Sequence, residues 1–314
     1  MQVDLNWRPR LSDMAFPSAV GRELASGALE AARRGPRTSA PETLADRKGY
    51  AVDFLGDFIV PLPEPTGANK QDVLPVGSDA KGRLDYTHFS VVMSRRRRMA
   101  MFVGVNIDGS TSVSINREGD KWSLDGRIKA DAQWGEELYA GNLLDRGHLV
   151  RREDPNWGSD ADIANEDTFH FTNCAPQMAA FNQKTWLGLE SYILDNSRRW
   201  KDRATVFTGP VFRDNDIVYR GARIPSSFWK VVAFIDDAGK PSATAYMLDQ
   251  AKELAQLEAA FGAFKTFQRS VRHVERIADL NFGMLSQFDG FSNEERATGV
   301  EIESSLTSVE QIRF

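Results

Sequence analysis

Residues Asp145-Arg146-Gly147-His148 are the place in this chain where side-chain types and spacing could act together chemically. A neutral imidazole is the natural proton acceptor near pH 7. Asp145, three residues before His148, could orient that ring or hold water on a cation. Arg146 offers a forked donor that matches phosphate oxygens. Gly147 is expected to let the backbone turn tightly between them. Phosphodiester hydrolysis asks for such a set: a base for water, a cation on the leaving oxygen, and positive charge around the phosphoryl group.

A second argument comes from helical spacing downstream. At about 100° per residue, Asn182, Trp186 and Glu190 fall within roughly 80° of one another on one helix side. An amide oxygen and a carboxylate two turns apart could then face one site. Such oxygen donors suit Mg²⁺, which keeps several of its waters, and Mn²⁺ could substitute. Zinc would ask for more nitrogen or sulfur than His88, His148, His170, His273 and the lone Cys174 offer.

Asp145-Arg146-Gly147-His148, then Asn173-Cys174-Ala175-Pro176-Gln177, then Asn182-Gln183 with Trp186, Leu189 and Glu190, resembles the DNA/RNA non-specific endonuclease family of the ββα-metal (His-Me finger) superfamily. Three linked motifs in order are far more specific than one, and the likeness runs from about residue 48 to about residue 285. The resemblance implies a Mg²⁺-dependent endonuclease acting on DNA and/or RNA and leaving 5′-phosphate products. It makes His148 the general base, Asn182 the direct metal ligand and Glu190 the carboxylate holding metal-bound water. Asp145 becomes the motif's supporting acid, Arg146 its phosphate-side arginine, and Asn173 the asparagine that positions the histidine. An upstream arginine stabilises the transition state in that family; Arg117 is the best match here and Arg127 the weaker one. Some members carry a further arginine four residues after the glutamate, where this chain has Leu194.

Elements must hold these residues in place. His88–Met93 and Met101–Ile107 read as a hairpin around the basic turn Arg95 to Arg98, a charge run that is more often solvated than phosphate-binding. Residues 204–210, 228–235 and 242–248 read as further strands, as do 50–54, 58–60 and 169–172. Residues 181–200, 251–260 and 267–277 have helical spacing. The expected class is α+β, a mainly antiparallel central sheet flanked by helices and carrying the ββα-metal motif. Residues 1–45, broken at Gly35 to Pro41, read as an N-terminal arm or linker, and 46–314 as the endonuclease domain.

The 314 residues, 41% hydrophobic and 26% charged, can bury a real core. The net charge of −5 does not advertise a nucleic-acid binder, but phosphate binding needs only a local basic stripe. One cysteine excludes an internal disulfide. Neither a membrane helix nor a secretory signal is legible, so the cytoplasm is the default compartment, a secreted or delivered effector remaining open. A non-specific nuclease there needs restraint by an inhibitor, an activator or its oligomeric state, a homodimer included; a regulated defence or toxin role fits that need. The alternative is a nucleic-acid- or protein-binding module on an inactive nuclease scaffold.

Overall fold

The computed structural model describes residues 37–116, 121–141, 144–178, 193–194, 197, 202–250 and 266–306. Among the described strands are β1 (Thr38–Ser39), β2 (Arg83–Asp85), β3 (Phe89–Ser94), β4 (Met99–Asp108), β5 (Leu124–Asp125), β6 (Leu144–His148), β7 (Cys174–Met178), β8 (Arg203–Val211), β9 (Ser227–Ile235), β10 (Pro241–Asp249), β11 (Thr266–Arg269) and β12 (Glu303–Leu306). The longest of the described helices are α1 (Ala161–Asp167), between β6 and β7, and α2 (Val271–Ala278) and α3 (Gly290–Thr298), after β11. Eight strands form one sheet in the order β12-β11-β10-β9-β8-β4-β3-β2, every pair antiparallel.

The central strands are apolar runs because both faces of the sheet are covered. Along β9 the period-two alternation sends Phe228 and Val232 to one apolar layer and Trp229, Val231 and Ala233 to the other. The first layer also holds Leu149, Phe171, Cys174 and Met178, so the hairpin β6–β7 packs on that face. The second layer is closed by Val271 and Val274 of α2 and by Phe282.

The β3–β4 hairpin and strands β8, β9 and β10 agree with the sequence reading. Three expectations are corrected. Residues 50–60 form turns with one isolated bridge, Leu55 to Phe58, because Tyr50 and Phe58 are buried as single anchors rather than along a ladder. Residues 169–172 pair only through His170 and then enter a 3-10 turn. The predicted helix at 267–277 begins as β11, which extends the sheet edge, and turns helical at Val271 after the Ser270 cap. The segment 251–260 and most of 181–200 lie outside the described residues.

The described part of the N-terminal segment packs on the domain. β1 runs parallel to β5, and Leu44, 3% exposed, sits in the first apolar layer. No helix among the described residues is long and apolar enough to cross a membrane.

Candidate active site

β6 pairs antiparallel with β7 in the register Asp145 with Gln177, Arg146 with Pro176, Gly147 with Ala175, and His148 with Cys174. Side chains alternate across such a ladder. Arg146, His148 and Cys174 therefore share one face, and Asp145, Gly147 and Gln177 share the other. Asp145 and His148 thus stand on opposite faces, a separation that a count of three residues does not reveal.

His148 is half-buried at the end of β6. Its ring lies 4.8 Å from the Trp122 ring and meets Phe169 edge-on at 5.2 Å. These two aromatic walls restrict the imidazole, whose Nε2 is buried. Trp122 is brought there by β5, whose flank bonds through Ser123 N–H to Phe169 O at 3.0 Å and through Phe171 N–H to Ser123 O at 3.0 Å. Neither wall was singled out by sequence reasoning, since an isolated aromatic carries no spacing signal.

Asn173 fixes the chain that leaves His148. It is fully buried, and its backbone carbonyl accepts from Leu149 N–H at 2.9 Å. Its side-chain oxygen accepts from Val150 N–H at 2.9 Å, and its amide donates to Val150 O and Thr168 O, each at 3.0 Å. Lys230 of β9 adds a support that the motif did not indicate. It is 1% exposed, and its Nζ donates to Thr208 Oγ1 at 2.9 Å and reaches Leu149 O at 3.4 Å.

Arg146 is held by Glu136, with Nε donating to Oε2 at 3.0 Å. Its guanidinium lies 5.8 Å from the Tyr139 ring and 6.0 Å from Trp122. The Glu136 partnership outweighs the burial cost and raises the Arg146 pKa. Gly147 does not adopt a positive φ, so the expected tight turn is absent. Its need is steric: a Cβ there would meet Gln177 Cδ at 2.1 Å. The Gln177 side chain fills that space fully buried, and neither its oxygen nor its nitrogen has a hydrogen-bond partner among the described residues. Cys174 is inert as a nucleophile, its thiol pushed up to about 12 by burial.

Arg127, the weaker transition-state candidate, is occupied. It pairs with buried Asp125 at 2.7 Å, donates to Asp85 O at 2.6 Å and covers the Tyr86 ring at 4.7 Å. The Arg95 to Arg98 turn is exposed at Arg95 and Arg96, as a solvated run would be, and its side chains are engaged within the protein rather than left as a free clamp. Arg97 pairs with buried Asp216 at 2.9 Å, Arg96 with buried Asp72 at 3.1 Å, and Arg98 lies 3.9 Å above Trp134. Arg95 donates to Gln71 O at 2.7 Å. Leu194 is buried in the first apolar layer. Arg117, Asn182 and Glu190 lie outside the described residues, and among the described residues no cluster of three His, Cys, Asp or Glu forms a metal cage.

An antiparallel α+β sheet with an Asp-Arg-Gly-His hairpin packed on one face defines the class of fold. The chain belongs to the DNA/RNA non-specific endonuclease family, a family of nucleic-acid-hydrolysing enzymes whose model matches residues 67–286. The solved structure of the EndoG/EndoGI complex shares the fold, with a TM-score of 0.52 and 19% identity over 66% of this chain and 86% of that one. The uncharacterized protein y4fB of Sinorhizobium fredii is 44% identical over 262 residues, 77% of this chain and 39% of the relative. Mitochondrial endonuclease G of Bos taurus is 26% identical over 197 residues, 57% of this chain and 62% of the relative. The chain therefore spans less than two thirds of these relatives' lengths.

Proposed function

We propose that this chain is a divalent-metal-dependent, sequence-nonspecific endonuclease cutting DNA and/or RNA, with His148 as general base and 5′-phosphate products. The observation that carries the reading is the mounting of His148. The half-buried ring is walled by Trp122 and Phe169, and the chain beyond it is clamped by Asn173. A base must be held in a productive orientation yet reach its water.

Amide and carboxylate oxygens are the donors that suit a hard cation. In this reading Asn182 holds Mg²⁺, or Mn²⁺ in its place, and Glu190 holds it through water. The ion supplies Lewis acidity at the leaving 3′ oxygen. His148 takes the proton of the attacking water, Arg146 offers charge to the phosphoryl oxygens, and Arg117 stabilises the transition state. Asn173 keeps the imidazole in place through the backbone of Leu149 and Val150. Control by an inhibitor protein, an activator or dimer formation is part of the proposal, as is a defence role. The solved neighbour concerns EndoG inhibition in the EndoG/EndoGI complex.

Purified protein with plasmid DNA and a structured RNA, in Mg²⁺ or EDTA, tests the reading beside His148→Ala. Cutting that needs both metal and His148 is the expected result. Retained cutting by His148→Ala sinks the assignment. Tight DNA binding without turnover in Mg²⁺ favours the inactive scaffold.

A further inference from the structure

A cavity of about 950 Å³ opens beside Phe169. That volume lies near the top of the roughly 300–1,000 Å³ range of small-molecule sites. Its walls are continuous with the active site. Phe169 lines the cavity and also meets the His148 ring. Lys121 and Ser123 line it as well, and Trp122 between them packs on His148. A group seated at His148 is therefore one side chain away from this space.

Part of the remaining wall comes from outside the family-matched region. Arg37 to Ala40, Thr43 and Leu44 line the cavity, whereas the match begins at residue 67. This strap is fixed in place. Leu124 N–H donates to Arg37 O at 2.8 Å, and Gly126 N–H to Ser39 O at 3.0 Å. Ser39 Oγ donates to His170 Nε2 at 2.9 Å, while His170 Nδ1 donates to Asp167 O at 2.9 Å.

Charge within the cavity is sorted. Arg47 is taken by Asp167 at 2.8 Å, and Arg152 by Glu153 at 2.9 Å and Asn165 Oδ1 at 3.0 Å. Arg37 and Lys121 are exposed and form no ion pair among the described residues. Asp162 and Glu166 of α1 are also exposed and would repel an anion toward the cationic side. Unpaired cations beside a phosphodiester-cutting site are what a polyanionic strand requires.

We propose that this cavity binds the nucleic-acid strand flanking the scissile phosphate, with Arg37 and Lys121 taking its backbone phosphates. The proposal rests on the nuclease reading above. Contacts of this kind are indifferent to sequence, since phosphates carry no base information. The N-terminal strap thereby makes part of the substrate site.

The test uses the full chain carrying His148→Ala and a labelled single-stranded oligonucleotide of about twelve nucleotides. Affinity is measured against salt concentration, with and without Arg37→Ala plus Lys121→Ala. The doubly substituted protein should bind about tenfold more weakly near 0.1 M salt, with a log–log salt slope shallower by about 0.7 per lost cation. With His148 intact, the ratio of kcat/KM for the oligonucleotide to that for bis(p-nitrophenyl) phosphate should fall about tenfold, because the small diester does not reach the cavity. Arg37→Lys plus Lys121→Arg should restore most of the binding, which separates charge from folding. Unchanged affinity and slope, or no binding by the parent, overturns the proposal. An intact chain that cuts neither substrate in Mg²⁺ sinks the nuclease reading instead, while the binding measurements still decide the role of the cavity.

Discussion

Arg146 shows how one residue can be right in type and different in setting. Its spacing beside His148 marks it as a phosphate donor, but its guanidinium is engaged by Glu136. Both side chains are about a third exposed, 31% and 38%, so water screens the pair and a phosphate can compete for it. Glu136→Gln removes the competing anion. The expected outcome is a KM for oligonucleotide lower by about two- to fivefold, since such exposed pairs contribute roughly 0.2–1 kcal/mol. Steady-state kinetics of the variant check it; an unchanged or raised KM would mean that Glu136 orients Arg146 rather than competing for it. Gly147 carries the same lesson, since its missing side chain makes room for Gln177 rather than a bend.

Between elements, the contact that matters most to the site is Lys230. The hairpin β6–β7 is not part of the main sheet, and the Nζ group of Lys230 joins β9 to Leu149, the residue after His148. A leucine or methionine there would complete an apolar strand, so the lysine has to be explained by its partners. Lys230→Met leaves the Leu149 carbonyl and the Thr208 hydroxyl without this donor. Loss of a buried partner costs about 1–3 kcal/mol. Unfolding in denaturant should show that loss. A fall in kcat larger than any change in KM should accompany it, because the displaced group is the base of the proposed mechanism rather than a binding surface. A kcat equal to wild type would confine Lys230 to stability.

For the molecule as a whole, buried His170 and half-buried His88 shape the response to acid. Burial lowers the pKa of His170 and of His88, the latter stacked 3.4 Å from Trp157. The unfolded chain takes up protons below about pH 6.5, where the folded protein does not yet do so. Stability is therefore full above that pH, falls as the pH drops through the window between the unfolded and folded values, and levels off below the folded ones. Thermal melts from about pH 8 down to about pH 5 should record this decline. His170→Gln should melt lower at the upper end of that range and lose less stability toward the lower end. An equal pH dependence in the two proteins would remove His170 as the cause.

The residues that could do chemistry were legible because they lie close together in sequence, as did the antiparallel strands, whose apolar runs reflect local spacing. From 145 to 148, from 173 to 177 and from 182 to 190, type and order alone pointed to the family. Tertiary structure decided what each group faces. The four arginines of the 95–98 turn are tied down partly by Asp216, 119 positions from Arg97, and Asp72, 24 positions from Arg96. Arg127 is consumed by Asp125, and residues 37–44, which read as an arm, form a cavity wall through β5 and His170. Sequence determines which donors, acceptors and charges a chain owns and how they repeat along an element. Which of them are spent on one another is a long-range matter, fixed only when the folded chain brings distant partners within hydrogen-bond reach.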